Sequence, residues 1–196
     1  GALRGDARGL GLRVDRGLVQ LPQLGQRRGL RGFRRRLKLL EAGIDVDRDQ
    51  FRDLLDGKIA DQQLGTTRDG KLEHRPGWDV TLSAPKSVSI MAEVAGDRRL
   101  VAAHGAAVKA ALAHVEQHMA ATRIRDGGAV NREATGNLVV ASFQHGTSRA
   151  QDPQLHTHNV ILNATKGEDG TWRSLEPRAI YQLQKQIGAI YRQSWP

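Results

Sequence analysis

Three histidines hold the most chemistry in this chain. His156 and His158 stand two residues apart in the run Leu155-His156-Thr157-His158-Asn159-Val160-Ile161, and His145 ends the β-rich run Leu138-Val139-Val140-Ala141-Ser142-Phe143-Gln144. Successive side chains of a strand project to opposite faces, so residues 156 and 158 share one face while Thr157 points away. A hairpin through residues 146–154 returns the chain beside itself and sets His145 near that pair, with cross-strand neighbours about 5 Å apart. Three neutral imidazoles with coordination positions left open describe a catalytic metal site better than a closed structural one. The chain has 0 cysteines, so any metal must use His, Asp, Glu or water. A lone histidine at a strand end is ordinary polar surface; the trio carries the metal reading. His104, His114 and His118 follow a helical pattern and His74 lies in a loop, so these four read as structural.

Asp79 is the next candidate. It falls between Trp78 and Val80 in a strand, where an unpaired carboxylate is costly. It can orient the second nitrogen of a histidine or accept a proton from an incoming hydroxyl; a surface carboxylate on the solvent side is the plainer alternative. Ser83-Ala84-Pro85-Lys86 fits the S-x-x-K pattern of penicillin-recognising enzymes, but the companion S-D-N and K-T-G motifs are absent. Ser83 as a helix cap explains it more simply. The exposed N–H groups of that helix, with Lys86 and Ser87, can hold a DNA phosphate. Arg149, in the polar 146–154 loop, is a third candidate DNA contact.

The elements that must position these groups are readable. Asp47 is expected to cap a short amphipathic helix through Phe51, Leu54 and Leu55 that Gly57 ends. Residues 61–75 read as a loop or hairpin and residues 78–82 as a strand. Ser83 caps the next helix, with Pro85 in its first turn. Asp97 caps a long helix running to about Arg123, and Gly127-Gly128 breaks the chain. Two strands carry the histidines, a short strand covers residues 172–175, and a last helix spans about residues 178–192. This order predicts an α+β fold, a central antiparallel sheet backed by helices.

The +9 net charge is unevenly spread. Residues 1–40 hold 11 Lys/Arg against 2 acidic residues, and residues 41–196 hold 19 of each. Basic composition is therefore no evidence for DNA binding by the body of the chain. Arg, Gly and Leu fill 28 of the first 40 positions with no sustained period, which reads as a flexible basic arm or a non-native segment. The division expected is 1–40 outside the fold, 41–192 the core domain and 193–196 a tail. No 18-residue apolar run and no apolar leader is present, so a cytoplasmic, membrane-free protein is expected.

The run from Gly77 to Ser87, G-W-D-V-T-L-S-A-P-K-S, resembles the D-x-T-F-S-A-P-K-S signature of the TrwC/TraI-type conjugative relaxases, members of the HUH endonuclease superfamily. Phe143 to Asn163, F-Q-H-G-T-S-R-A-Q-D-P-Q-L-H-T-H-N-V-I-L-N, resembles the histidine motif of the same family. The likeness runs from about residue 40 to 192. It implies a fold shared with rolling-circle initiators. His145, His156 and His158 then match the ligands of a divalent ion (Mg, Mn, Zn or Ni), and Asp79 matches the acid that helps activate the nucleophile. The implied reaction is transesterification of single-stranded DNA at a transfer origin, by a monomer with possible relaxosome accessory proteins.

One feature departs from that pattern. The family carries nucleophilic tyrosines near its N-terminus, yet the two tyrosines here are Tyr181 and Tyr191. The first strand with its nucleophile is expected to be missing, leaving a metal cage without covalent chemistry. Three other readings stay open: a non-catalytic DNA-binding module, a metal-dependent phosphodiesterase that attacks with water, and a poorly folding gene remnant with unpaired sheet edges.

Overall fold

The computed structural model describes Leu18–Val19 and residues 48–195. Its elements in chain order begin with β1 (Leu18–Val19), α1 (Arg48–Leu55), β2 (Lys58–Ile59), β3 (Gln62–Gln63), β4 (Thr66–Arg68), β5 (Lys71–Glu73), β6 (Gly77–Ser83) and α2 (Lys86–Glu93). There follow α3 (Arg98–Met119), β7 (Ala121–Asp126), β8 (Ala129–Ala134), β9 (Val140–Thr147), β10 (Pro153–Leu162), β11 (Thr165–Lys166), β12 (Trp172–Arg173) and α4 (Pro177–Gln193). The central sheet is antiparallel throughout, in the order β1-β9-β10-β6.

Alternation sorts each strand between two faces. On β6, Trp78, Val80 and Leu82 are buried while Asp79, Thr81 and Ser83 are exposed. The buried set packs with Val140 and Ile161 beneath Val108, Leu112 and Val115 of α3 and Ile180 and Ile187 of α4. A second core on the opposite face joins Ala141, Phe143, Val160 and Leu162 to Leu54 of α1, Ile59 of β2 and Leu64. Phe51 meets Phe143 edge-on at 5.8 Å there. This second core covers one half of its face, and the histidine-bearing half stays half-exposed. β10, which has a neighbour on each side, is buried on both faces from Asn159 to Leu162.

Burying Thr157 and Asn159 in that strand requires partners. The Asn159 amide donates to the Val80 and Thr157 carbonyls at 3.0 and 3.2 Å and accepts from the Ser142 hydroxyl at 2.7 Å. The Thr157 hydroxyl lies 2.7 Å from His104 Nε2, and His104 Nδ1 lies 2.6 Å from the Tyr191 hydroxyl. A neutral imidazole has one N–H and one lone pair, so it donates to one of these hydroxyls and accepts from the other.

Several local expectations change. α3 stops at Met119, where Ala120 turns extended, and residues the helical pattern ran through form the β7–β8 hairpin. Gly127 and Gly128, read only as a break, supply the two positive-φ positions (53° and 88°) of its tight turn. Ser83 stays in β6 and caps nothing. Pro85 takes the N-cap position of α2 with no side-chain cap, and the Ser89 hydroxyl donates to its carbonyl. The polar 61–75 stretch resolves into β3 and the β4–β5 hairpin. The strand expected over residues 172–175 covers two of them. In the Arg/Gly/Leu-rich stretch, the backbone of Leu18–Val19 pairs with Ser142 and Ala141. Asp47 and the rest of residues 1–47 lie outside the described residues. Within the expected tail, Trp195 packs against His104 and Tyr191. Among the described residues no helix is long and apolar enough to cross a membrane.

Burial, aided by the field of His156, lowers the His104 pKa to about 4. The unfolded chain then binds the proton more readily. His104 stabilises the fold fully above pH about 6.5, and its contribution falls by about 3 kcal/mol as pH drops toward 4. Glu116, which burial raises to about 6, works in the opposite sense. Urea unfolding of wild type and His104→Asn in parallel should therefore show a shallower acid loss in the variant; equal slopes would contradict the buried neutral assignment.

Candidate metal centre and nucleic-acid interface

His156 sits directly opposite His145 across the β9–β10 ladder, and His158 follows on the same face of β10. The three rings converge, with centroids 5.2 Å apart for 145–156, 5.6 Å for 145–158 and 5.2 Å for 156–158. With metal–nitrogen bonds of about 2.0–2.1 Å, a tetrahedral ion holds the centroids of two of its imidazoles about 5.3 Å apart. The spacing suits one shared cation. The nitrogens themselves are less advanced, because among the described residues no three donors already form a group that could hold an ion. A modest turn of an imidazole moves its nitrogens without moving its strand.

Neighbouring groups set which nitrogen is available. His156 Nδ1–H donates to the Gln154 carbonyl at 2.8 Å. His158 Nδ1–H donates to Asp79 Oδ2 at 2.8 Å, with the Thr81 hydroxyl 3.0 Å away. On both rings this leaves Nε2 with its lone pair, the arrangement typical of ligating histidines. The Asp79 hydrogen bond raises the His158 pKa against the opposing effects of desolvation and the Arg149 charge.

The register explains this geometry. β6 pairs with β10 so that Thr81 faces His158 and Asp79 faces Val160. The carboxylate and hydroxyl therefore flank the His158 ring from a single strand. Thr81 escaped the sequence reading, although its i+2 relation to Asp79 already put it on the same face. Glu93 escaped it too. A Cβ on Gly146, next to His145, would collide with the Glu93 carboxylate, so α2 brings an acid against β9 on the face opposite the rings. That proximity comes from α2 packing across the sheet, and no local pattern announces it.

The proposed DNA contacts lie at the start of α2 and in the β9–β10 loop. Lys86 donates to the Pro153 carbonyl at 2.9 Å, which anchors α2 to the start of β10, and Ser87 is exposed beside it. The Ser89 hydroxyl also accepts from Leu155 N at 3.0 Å, just ahead of His156. Arg149 is exposed, and its charge reaches His158. Neither tyrosine borders the cluster. Tyr191 is buried on the helical side of the sheet with His104. Tyr181 is held by Arg75 at 3.1 Å, and that guanidinium lies over Trp78 near the start of β6.

An antiparallel sheet presenting three histidines on one face, with a carboxylate behind one of them, matches a known class of DNA-processing protein. The TrwC relaxase family model matches residues 25–195, and the chain belongs to that family. It is 44% identical over 158 residues to the multifunctional conjugation protein TraI of Escherichia coli (strain K12), covering 76% of this chain and 9% of that protein. A second Escherichia coli TraI is 50% identical over 131 residues, 66% of this chain and 7% of that protein. The chain thus spans under a tenth of the length of these relatives. Among solved structures, the metal-bound conjugative relaxase TrwC in complex with oriT DNA superposes with a TM-score of 0.72 at 45% identity, over 77% of this chain and 53% of that one. A copper-bound TrwC–oriT complex gives 0.73 at 44%, over 79% and 53%. TrwC with a 27-mer comprising the recognition hairpin and the cleavage site gives 0.72 at 44%, over 79% and 55%.

Asp79→Asn keeps the shape of the side chain and removes its charge. In the metal-free protein the His158 imidazole should then titrate at lower pH than in wild type, read from its ring proton resonances. An unshifted titration would place the main support of His158 elsewhere.

Proposed function

We propose that this chain is the metal- and DNA-binding core of a conjugative relaxase. It would hold single-stranded transfer-origin DNA, and His145, His156 and His158 are the residues that would bind a divalent ion to act on one of its phosphodiesters. The convergence of three imidazoles on one sheet face, two with Nδ1 committed to protein acceptors, carries this reading. The solved relatives, TrwC bound to oriT DNA with metal or with copper, support it by homology.

When bound, the ion would act as a Lewis acid that offsets charge developing on the phosphate. The residues of the chain supply position. Asp79 and Thr81 fix the His158 ring, and the Gln154 carbonyl fixes His156. The β9–β10 ladder keeps His145 opposite them. Lys86, Ser87 and Arg149 would contact phosphates of the bound strand, and such contacts are electrostatic and salt-sensitive. Nitrogen donors favour Zn²⁺, Ni²⁺ or Cu²⁺ over Mg²⁺, with Mn²⁺ between.

Relaxase chemistry attacks the phosphodiester with a tyrosine, and neither Tyr181 nor Tyr191 borders the cluster. These 196 residues accordingly bind and orient DNA without forming a covalent adduct. The same observation keeps a second reading alive, a phosphodiesterase in which water attacks in place of tyrosine; it differs by releasing a free 5′-phosphate.

Calorimetric titration with Zn²⁺ or Ni²⁺ tests the site. His156→Ala should weaken binding at the trio by at least about 100-fold with the circular dichroism spectrum unchanged. Incubation with metal and labelled transfer-origin oligonucleotides should leave no denaturation-stable conjugate. Undiminished affinity of the trio in His156→Ala would sink the metal assignment, and a covalent conjugate would overturn the account of the tyrosines.

A further inference from the structure

A second pair of imidazoles lies on the other side of the molecule. His114 and His118 are one turn apart near the end of α3, their rings stacked with centroids 4.2 Å apart and planes at 25°. Positions i and i+4 of a helix share a face, so the pairing is built into the backbone. His118 Nδ1–H donates to the His114 carbonyl at 2.9 Å. That bond leaves His118 Nε2 with a lone pair, the same fixation that backbone carbonyls give to ligating histidines elsewhere. His118 is exposed and His114 half-exposed, so an ion can reach both from solvent.

We propose that His114 and His118 form a second metal site, independent of the sheet trio and selective for borderline transition cations such as Cu²⁺, Ni²⁺ and Zn²⁺. Two imidazoles supply the protein donors and water completes the coordination. Magnesium and calcium are disfavoured because they need oxygen ligands and none is offered. The carboxylate nearest in sequence, Glu116, is turned inward and accepts from Leu138 N at 3.1 Å. α3 packs on the Trp78–Val80–Leu82 face of the sheet, whereas the trio rises from the opposite face, so the sheet separates the two sites. A cation bridging His114 and His118 would clamp the last turn of α3, next to the point where the chain turns into β7.

Metal binding by the full chain should therefore count two equivalents of Ni²⁺ or Cu²⁺. Equilibrium dialysis with elemental analysis measures this directly, and alanine is well tolerated in a helix, so His114→Ala and His118→Ala should fold. Each is expected to bind one equivalent fewer than wild type, and Mg²⁺ uptake should be the same in all three proteins. In a His145→Ala/His156→Ala/His158→Ala background, the copper electron paramagnetic resonance spectrum should retain imidazole nitrogen couplings that vanish when His118→Ala is added. Wild-type stoichiometry in both single variants, or couplings that survive the added change, would overturn the proposal. Failure of the trio reading looks different: wild type and His156→Ala would then each bind one equivalent and His118→Ala none.

Discussion

Everything at the histidine face depends on the register of three antiparallel strands. From His156 to Ile161, β10 pairs residue for residue with β9 on one side and β6 on the other, setting His156 against His145 and His158 against Thr81. A slip of one residue in either ladder would send a set of side chains to the opposite face. In the β6–β10 ladder it would also turn the Asp79 carboxylate toward the core beneath α3 and α4, and Trp78, Val80 and Leu82 away from it. Hydrophobic burial on both faces of the sheet penalises that slip and so holds the imidazoles in place.

The helical side adds a second restraint on the same strand. Thr157 points away from its histidine neighbours into contact with His104, which Tyr191 holds in turn. α3 and α4 are thereby tied by directional bonds to the one residue lying between His156 and His158. An unsatisfied polar group at such depth is costly, so the network favours one placement of the strand over its alternatives. Ser89 and Lys86 of α2 fasten the start of β10 in a similar way. The histidines thus stand on a strand pinned from beneath and from one end, while their rings remain open to solvent.

Much of this was legible in the sequence because it is local. The H-x-H spacing, the hairpin back to His145 and the alternation around Asp79 each follow from a period of two. What escaped was set by tertiary context. His104 read as a structural residue of the long helix, and only α4 folding alongside shows it to be a buried junction. The helical pattern continued past Met119 because Ala120 and Ala121 suit either state, and burial of Thr122 with its bond to the Ser174 carbonyl favours the strand. The stacking of His114 on His118 was implicit in their spacing, but the fixed nitrogen of His118 was not. Family membership rests on the two long motifs and extends across most of the chain.

The most direct test is a crystal structure of this chain soaked with Ni²⁺ or Zn²⁺, with anomalous difference density collected at the metal edge. The account places a peak bonded to the Nε2 atoms of His156 and His158 and to the ring of His145, with Asp79 still hydrogen-bonded behind His158. An empty trio in a crystal whose metal sits only elsewhere, or a His145 ring turned away from the other two, would contradict it.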